Sequence, residues 1–445
     1  MESKHATIRD LRRRNRAVLL SALYFSAPLS RLELSRLTGL SAATVSNVTA
    51  QLLEDRLIAE AGQAESEGGR PRVLLRVDPG YGHVIGVDVG ETGVIVELFD
   101  LGLTRLATAT SASLTVRPDP EAVAAQAADG MREVLAASGI EPGSLLGVGI
   151  GLPGVVERAA SALVHAPTIG WNGAPLEALL RERGVDAPLF LDNGAKTMGQ
   201  AEMWFGSGRG ARHAVIALIG SGVGAAVIAD GTTYRGVSSS AGEWGHTTLI
   251  HGGRPCRCGS RGCLEAYIGA EGVLDRYRQA GGVLSGRGGD EQGDLKELIE
   301  TASGQSGSSG QAGSSGRNGG SGSDGSATLA RELLEETASY LGAGIANLIN
   351  LFNPQRVVLG GWAGLQLGGR MLPQIRRAAR EHALAHPFSQ TSIELCRLGP
   401  DAVAFGAATL PVAELLARGA DPRNGSPGGS DAFGRLGRIE AVAPD

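Results

Sequence analysis

The sequence predicts an α/β protein that carries a small winged helix–turn–helix head at its N-terminus. Residues 1–78 have the pattern of short helices followed by two short strands. After residue 78, apolar strands such as His83–Val89, 145–151 and Ala214–Ile219 alternate with helical segments. Alternation of strands and helices is typical of α/β folds. We therefore expect two domains, a head over residues 1–78 and an α/β body over residues 79–417.

Composition and charge narrow the class of protein. Hydrophobic residues make up 42% of the 445 residues and charged residues 20%, which is ordinary for a protein with a packed core. No run of 18 apolar residues is present, and no cleavage site follows the basic N-terminal segment, so we expect a cytoplasmic protein with no membrane contact. Residues 1–76 hold 12 Lys and Arg against 8 Asp and Glu, which gives this segment a net charge of +4. Because the net charge of the whole chain is −5, the remaining residues carry −9. This asymmetry indicates a polyanionic partner for the head.

Two segments lack the apolar residues that a core requires. In residues 303–326, 18 of 24 residues are Gly or Ser, and residues 418–445 are rich in Pro, Gly and isolated charges. We expect both to be disordered, because they bury too little apolar surface to offset the entropy of ordering. Apolar residues at helical spacing flank the first segment, which is therefore predicted to be an insert in the body.

Residues 31–53 have the pattern of a helix–turn–helix. Leu32, Leu34 and Leu37 are the apolar residues of a short amphipathic first helix, Gly39 supplies the turn, and Ser41 can cap a second helix. In the second helix the apolar residues Val45, Val48, Leu52 and Leu53 share one face. The small polar residues on its other faces suit a helix that reads base edges in a major groove.

A wing is predicted after the second helix, where two short strands flank a Gly-rich loop that carries arginines. Such a loop can reach a phosphate or a minor groove, and the arginines of residues 9–16 would add backbone contacts. The alternative is a three-helix packing module with a solvated charged face. We favour binding to a double-stranded DNA operator, through Ser41, Ala43, Thr44, Ser46, Asn47, Arg70 and Arg72.

Three Gly-rich turns follow predicted strands of the body: residues 88–92, which contain Asp88, Gly90 and Thr92; residues 220–222, which are Gly220, Ser221 and Gly222; and the pair Gly360 and Gly361. Backbone N–H groups in such turns can bind phosphate, and an adjacent carboxylate can bind a metal ion. A tight turn without any ligand explains each one equally well when it is taken alone.

A cluster of metal-ligand residues is the most specific chemical signal. Cys256, Cys258 and Cys263 lie within eight residues, and His246 precedes them by ten. Three thiolates and one imidazole complete a tetrahedral Zn²⁺ shell with no open position, which predicts a structural zinc ion. The alternatives are three free thiols, or one disulfide with a spare thiol; a Cys256–Cys258 disulfide would be strained. Cys396 is predicted to be a buried small hydrophobe.

These motifs together resemble the ROK family of sugar kinases and sugar-responsive repressors. The resemblance rests on the sequence GEWGH at residues 242–246 followed by CxCGxxGCxE at residues 256–265, on GLPG at residues 151–154 and on NLFNP at residues 350–354. The head resembles that of the repressor branch. The resemblance implies a two-lobed actin-like (RNase H-like) body of the sugar-kinase type, a sugar or sugar phosphate in the cleft between the lobes, and a homodimer or homotetramer.

The resemblance also assigns residues. It implies that Asn193, Glu243, His246 and Glu265 contact the sugar. The alternative for Glu243 and Glu265 is that they are surface carboxylates on a loop. Family kinases have an Asn-Asp pair whose Asp is the general base; here the pair is Asn193-Gly194, and Asp192 is two positions upstream. The three Gly-rich turns are therefore expected to be vestigial phosphate-binding sites, with no catalytic residue.

We accordingly expect a sugar-responsive regulator, most plausibly a repressor of genes for carbohydrate uptake or catabolism. The alternatives are an ATP-dependent hexose-type kinase with an appended DNA-binding head, and a DNA-binding protein whose body is a scaffold without a ligand.

Overall fold

A computed structural model describes residues 8–64, 71–91, 93–112, 118–158, 162–285, 290–304 and 322–420. The head consists of helices α1 (Ile8–Ser26), α2 (Arg31–Thr38) and α3 (Ala42–Glu54) and strands β1 (Leu29–Ser30), β2 (Ile58–Ala64) and β3 (Arg72–Val77). The strands form an antiparallel sheet in the order β1-β3-β2.

Local sequence explains why the head folds this way. Ser30 and Glu33 form a reciprocal capping box at the start of α2, and Gly39 ends that helix in the left-handed conformation, with φ of 69°. The Ser41 side chain accepts a hydrogen bond from the Thr44 N–H and so caps α3. The helices pack through fully buried side chains, among them Leu20, Leu34, Val45, Leu52 and Leu57.

The first lobe of the body is built on a five-stranded sheet in the order β11-β7-β4-β5-β6. Its strands are β4 (His83–Val89), β5 (Gly93–Asp100), β6 (Arg105–Ala112), β7 (Leu145–Leu152) and β11 (Leu189–Asn193). Strands β4, β5 and β6 are antiparallel neighbours, whereas β7 and β11 run parallel to β4. Helices α4 (Pro120–Ser138) and α5 (Leu176–Glu182) and a small sheet of β8 (Val155–Arg158), β9 (Ala162–Ala166) and β10 (Trp171–Ala174) complete the lobe.

The second lobe repeats this arrangement with a sheet in the order β14-β13-β12-β15-β16. The strands are β12 (Ala214–Ile219), β13 (Val223–Ala229), β14 (Thr232–Tyr234), β15 (Arg356–Gly360) and β16 (Ser392–Leu395), of which β15 and β16 run parallel to β12. Its helices are α7 (Glu265–Ile268), α8 (Ala270–Gln279), α9 (Glu291–Ala302), α10 (Gly322–Phe352), α11 (Trp362–His382) and α12 (Ala385–Gln390). The repeated topology confirms the predicted two-lobed actin-like body.

Two helices, α6 (Gly194–Phe205) and α13 (Ala402–Arg418), lie where the lobes meet. Glycines allow this close packing. A Cβ atom on Gly149 of β7 would lie 1.8 Å from the Ala407 carbonyl of α13, and one on Gly406 of α13 would lie 2.1 Å from the Thr197 carbonyl of α6. No helix in the described ranges is both long enough and apolar enough to cross a membrane.

The structure describes the ends of the two segments that were expected to be disordered. Helix α10 begins at Gly322, inside the predicted insert, and α9 is followed by Ser303 and Gly304. Arg418 is the last residue of α13, where it pairs with Glu414, and Gly419 ends that helix with φ of 61°. Residues 305–321 and 421–445 lie outside the described part of the chain. Cys396 is buried, but just beyond β16, and its thiol donates to Glu202 Oε1 at 2.9 Å.

Candidate functional site

The second helix of the head presents its polar residues to solvent. Ser41, Ala43, Ser46 and Asn47 are exposed and Thr44 is half-buried, whereas Val45, Val48 and Leu52 face the core. Leu53, predicted to share that apolar face, is only half-buried. The exposed face has the small polar side chains that a major groove admits, and its contact with DNA stays a prediction.

The arginines of the head divide into two groups. Arg72 is exposed at the first position of β3, and Arg9, Arg12 and Arg14 are exposed on α1, whereas Arg70 lies outside the described residues. Arg16 is engaged within the protein: its Nη2 binds Asp55 Oδ2 at 2.8 Å and its Nε donates to the Gly419 carbonyl at 2.9 Å. Arg16 therefore joins the head to the body and is not available for the DNA contact predicted from its charge.

The predicted metal ligands converge. One ligand atom each from His246, Cys256, Cys258 and Cys263 lies within 4.8 Å of all the others. Cys256 Sγ is 3.7 Å from His246 Nδ1, and Cys258 Sγ is 3.8 Å from Cys263 Sγ. A tetrahedral zinc ion with Zn–S bonds of about 2.3 Å requires sulfur–sulfur separations of about 3.8 Å. The donor set and its spacing thus fit Zn²⁺.

Short-range backbone pairing builds this cluster. Thr248 pairs with Cys263 and Pro255 with Arg261 as isolated antiparallel bridges, which fold the loop back on itself. Gly259 and Gly262 make this possible, because both have φ near 80–90°, a conformation that few other residues adopt readily. Burial raises the pKa of the Cys256 thiol, so a bound cation would be needed to hold it as a thiolate.

Three of the four predicted sugar contacts surround this cluster. Glu265 is 5% exposed; its Oε2 accepts from the Val223 N–H at 2.9 Å and its Oε1 lies 3.8 Å from Cys256 Sγ. Burial raises the pKa of Glu243, while the charges of His246 and Lys196 act in the opposite direction. Glu243, His246 and Glu265 therefore lie close to one another beside the cysteine loop.

Asn193 lies at the start of α6, where it serves as the helix cap. Its Oδ1 accepts from the N–H groups of Ala195 and Lys196, and its Nδ2 donates to the Gly154 carbonyl at 2.7 Å. The amide is thus already held in one orientation. Lys196, which is 3% exposed and donates to the Ser239 carbonyl at 2.5 Å, connects this helix end with the loop that leads to Glu243.

The three Gly-rich turns meet at the cleft. A Cβ atom on Gly361 would lie 2.4 Å from the Ile219 carbonyl, and one on Gly222 would lie 3.0 Å from Glu91 Oε1. Asp88 lies near the end of β4, Gly90 and Glu91 follow that strand, and Thr92 lies outside the described residues. The geometry brings the turns together as phosphate-binding turns require.

Carboxylates occupy this region. The Ser221 hydroxyl donates to Glu291, at the start of α9, and Glu91 forms an ion pair with Arg257. Arg257 also lies 3.4 Å from Glu265 and 3.1 Å from Glu271. Its pKa is raised because the attraction of Glu91, Glu265 and Glu271 outweighs the effect of burial. A nucleotide phosphate would meet negative charge here.

Gly194 occupies the position that the family resemblance gives to the kinase base. The Cβ position of Gly194 faces Val403, the Leu152 carbonyl and Leu218 at 3.5–3.8 Å. Asp192 is 2% exposed, and both of its oxygens accept from Arg235, at 3.0 and 2.6 Å. The neighbouring carboxylate is therefore committed to an ion pair.

Sequence reasoning missed these charged partners. Arg235, Arg257 and Glu291 are single residues in loops or at a helix start, and nothing in their local pattern distinguishes them from solvated surface charges. Glu91 stands inside the first glycine turn, but its role depends on Arg257, 166 positions away.

Comparisons with known proteins agree with this geometry. Residues 84–414 match the family model described as the ROK family. The xylose repressor of Caldicellulosiruptor bescii is 28% identical over 418 residues, covering 91% of this chain and 97% of the relative.

Two solved structures show the same architecture. A ROK family transcriptional regulator, a homologue of the Escherichia coli MLC protein, superposes with a TM-score of 0.71 at 23% identity and covers 97% of this chain and 99% of its own. A Streptomyces griseus glucokinase in complex with glucose and AMPPNP superposes with a TM-score of 0.58 at 28% identity, over 74% of this chain and 99% of the enzyme. The regulator therefore covers the head as well as the body, whereas the enzyme covers less of this chain.

Proposed function

Because this chain belongs to the ROK family, we propose that it is a sugar-responsive transcriptional repressor that controls genes of carbohydrate uptake or catabolism in the cytoplasm. The observation that carries the proposal is the union, in one chain, of a winged helix–turn–helix head and the neighbouring polar residues Glu243, His246 and Glu265, which we take to line the sugar cleft. The name of the C. bescii relative, xylose repressor, supports the same function.

The effector is a sugar or sugar phosphate bound in the cleft. Carboxylates and an amide bind hydroxyl pairs well, and Glu243, Glu265 and Asn193 supply these groups. His246, Cys256, Cys258 and Cys263 would hold a structural Zn²⁺, which fixes the loop and the His246 ring. His246 turns Nδ1 toward Cys256, and a sugar hydroxyl is then bound through Nε2.

The chain acts by binding and not by phosphoryl transfer. Gly194 provides no general base, and Asp192 is paired with Arg235. Loss of a general base lowers rates by about 10²–10⁴-fold. The alternative is a sugar kinase with a DNA-binding head, and the observation that supports it is the likeness to a glucokinase. Sugar-dependent release of ADP in a coupled assay would establish that alternative.

Recognition of an operator requires two heads. One recognition helix reads only a few base pairs, so a homodimer or homotetramer places two α3 helices on successive half-sites. Sugar binding changes the relative position of the lobes and hence the spacing of the heads. Multi-angle light scattering of the purified protein tests this oligomeric state.

Fluorescence anisotropy on DNA from the chain's own upstream region tests the function. At fixed salt, D-xylose, D-glucose or glucose 6-phosphate should change the affinity about tenfold, or about 1.4 kcal/mol. Glu243→Gln should bind the DNA but lose the response, and Glu133→Gln, an exposed change on α4, should behave like the wild type. Absence of sequence-specific binding would refute the repressor.

A further inference from the structure

Helix α6 connects the sugar cleft to the DNA-binding head. Its first residue follows Asn193, whose side chain caps the helix, and its last residues are Trp204 and Phe205. Twelve residues at a rise of 1.5 Å give a length of about 18 Å. Ten of the twelve are buried, so α6 is held along its length by both lobes.

The far end of α6 contacts the first helix of the head. The ring of Phe25, at the end of α1, meets the Trp204 ring edge-on at 4.9 Å and lies 6.3 Å from the Phe205 ring. Tyr24 adds an edge-on contact with Trp204 at 6.2 Å. Arg209, four residues after α6, donates to the Phe25 carbonyl at 3.3 Å. Aromatic pairs of this kind have a defined geometry and resist sliding.

Helix α1 carries this contact into the recognition helix. Leu19, Leu20 and Leu23 of α1 are buried in one hydrophobic cluster with Val45 and Leu52 of α3. A movement of the C-terminal end of α1 therefore moves α3, because close-packed interiors transmit displacements. The same cluster contains Trp204 and Met203 of α6.

A second connection between head and body does not start at the cleft. Arg16, in the middle of α1, binds the Gly419 carbonyl at the end of α13, and the Tyr24 hydroxyl donates to the Leu101 carbonyl at 3.1 Å. These contacts hold α1 against α13 and the first lobe. The head is thus fixed at these points, and α6 contacts it through the rings of Tyr24 and Phe25.

We propose that α6 transmits sugar binding to the DNA-binding head through the contact of Trp204 and Phe205 with Phe25. A ligand that engages the Asn193 amide acts on the cap of α6, and a small rotation or shift of the helix displaces Phe25 and turns α1 about its anchors. This inference rests on the proposed function and adds the residues that carry the coupling.

Phe25→Leu tests the proposal, with Phe388→Leu as matched control. Both phenylalanines are half-buried, and Phe388 lies on α12 of the second lobe, away from α1. The sugar used is the one among D-xylose, D-glucose and glucose 6-phosphate that changes the DNA affinity of the wild type. DNA affinity is then measured by anisotropy with and without that sugar. Sugar affinity is measured by calorimetry. Phe25→Leu should keep the affinity for DNA and the affinity for the sugar within about twofold of the wild type, but lower the sugar-induced change in DNA affinity at least threefold. Phe388→Leu should leave that sugar-induced change as it is in the wild type.

A second measurement is made on the wild-type protein, and a variant serves only to assign one signal. Incorporation of 5-fluorotryptophan gives one ¹⁹F signal for each of the four tryptophans, and Trp204→Phe identifies that of Trp204. The Trp204 signal should shift on addition of the sugar and on addition of DNA. An unmoved signal, or a Phe25→Leu protein that responds like the wild type, would overturn the coupling role and leave the repressor function intact. A wild type that binds DNA without a response to any of these sugars would overturn the proposed function, and the coupling with it.

Discussion

Arg235 binds both carboxylate oxygens of Asp192, at 3.0 and 2.6 Å, and thereby joins the second lobe to the first directly beside Asn193. The two side chains are only 15% and 3% exposed. Glu91 and Arg257 form a second link between the lobes, at the glycine turns. Two arginines of one lobe thus hold two carboxylates of the other on either side of the cleft.

Removal of Arg235 should destabilise the protein strongly. Arg235→Ala removes the arginine that forms an ion pair with the buried Asp192 carboxylate, and breaking such a pair costs about 3–5 kcal/mol. Urea unfolding followed by circular dichroism measures the loss. Arg212→Ala is the matched control, because the Arg212–Asp230 pair has a similar distance of 2.6 Å but side chains that are 67% and 70% exposed. It should cost less than about 1 kcal/mol. Equal losses in the two variants would show that burial does not set the strength of the Arg235 pair.

Metal removal should loosen the cysteine loop. We expect one Zn²⁺ per chain by plasma mass spectrometry, and a lower Tm after treatment with a chelator, because a structural metal contributes directly to folding. Cys258→Ser should lose the metal, whereas Cys396→Ser, remote from the cluster, should retain it. A metal-free protein with unchanged Tm would contradict the structural role.

Restoration of the missing carboxylate should not create a kinase. The Cβ position of Gly194 makes only ordinary contacts, at 3.5 Å or more, so Gly194→Asp should fold. Ser221 is bonded to Glu291 and Glu91 to Arg257, and these carboxylates repel a nucleotide phosphate. We expect no sugar-dependent ADP release from Gly194→Asp. Turnover by this variant would show that the glycine turns still accept ATP.

Stability should fall with rising pH because of Asp88. Burial, with the nearby charges of Asp401 and Glu97, raises the pKa of this carboxyl from 3.8 to about 7. Below pH ~4 the group is protonated in both the folded and the unfolded chain, and its favourable contribution is complete. Between that pH and about 7 the unfolded chain ionises first, so the contribution is lost and stays lost above pH 7.

Asp88→Asn removes this dependence. Relative to the wild type, the variant should gain stability from pH 5 to pH 8 by at most about 3 kcal/mol, because about two pH units separate pH 5 from the folded pKa. Urea unfolding at both pH values measures the difference. Asp129→Asn, an exposed change on α4, should show no such gain. A difference from the wild type that is the same at pH 5 and pH 8 would exclude titration of Asp88.

The exposed face of α3 should determine sequence preference. Asn47→Ala should weaken binding to the upstream DNA by about 1–3 kcal/mol and have less effect on scrambled DNA, since base contacts carry specificity. Arg72→Ala should weaken binding to both DNAs and reduce the salt dependence. Anisotropy titrations at two salt concentrations separate the two effects. Equal losses on both DNAs for Asn47→Ala would place this residue outside the base-reading face.

Local sequence determined the elements of the head and the metal ligands. The Ser30 and Ser41 caps and the Gly39 turn act within a few residues, so they specify α2, α3 and their junction without the rest of the chain. The four metal-ligand residues fall within 18 positions, so their spacing in the sequence was enough to predict that they form one cluster. The buried strands could also be predicted from the sequence, because they are apolar throughout. β4 and β12 have the predicted bounds.

Tertiary structure alone decided which charges pair and how the head is joined to the body. Arg235 and Asp192 are separated by 43 positions, Arg257 and Glu91 by 166, and Arg16 and Gly419 by 403. An isolated charged residue in a loop has no periodicity that identifies its partner, and its pairing depends on where the two lobes bring the loops. The Phe25–Trp204 contact is of the same kind. Neither ring has a local pattern that identifies its partner, and only the packing of α1 against α6 makes them meet.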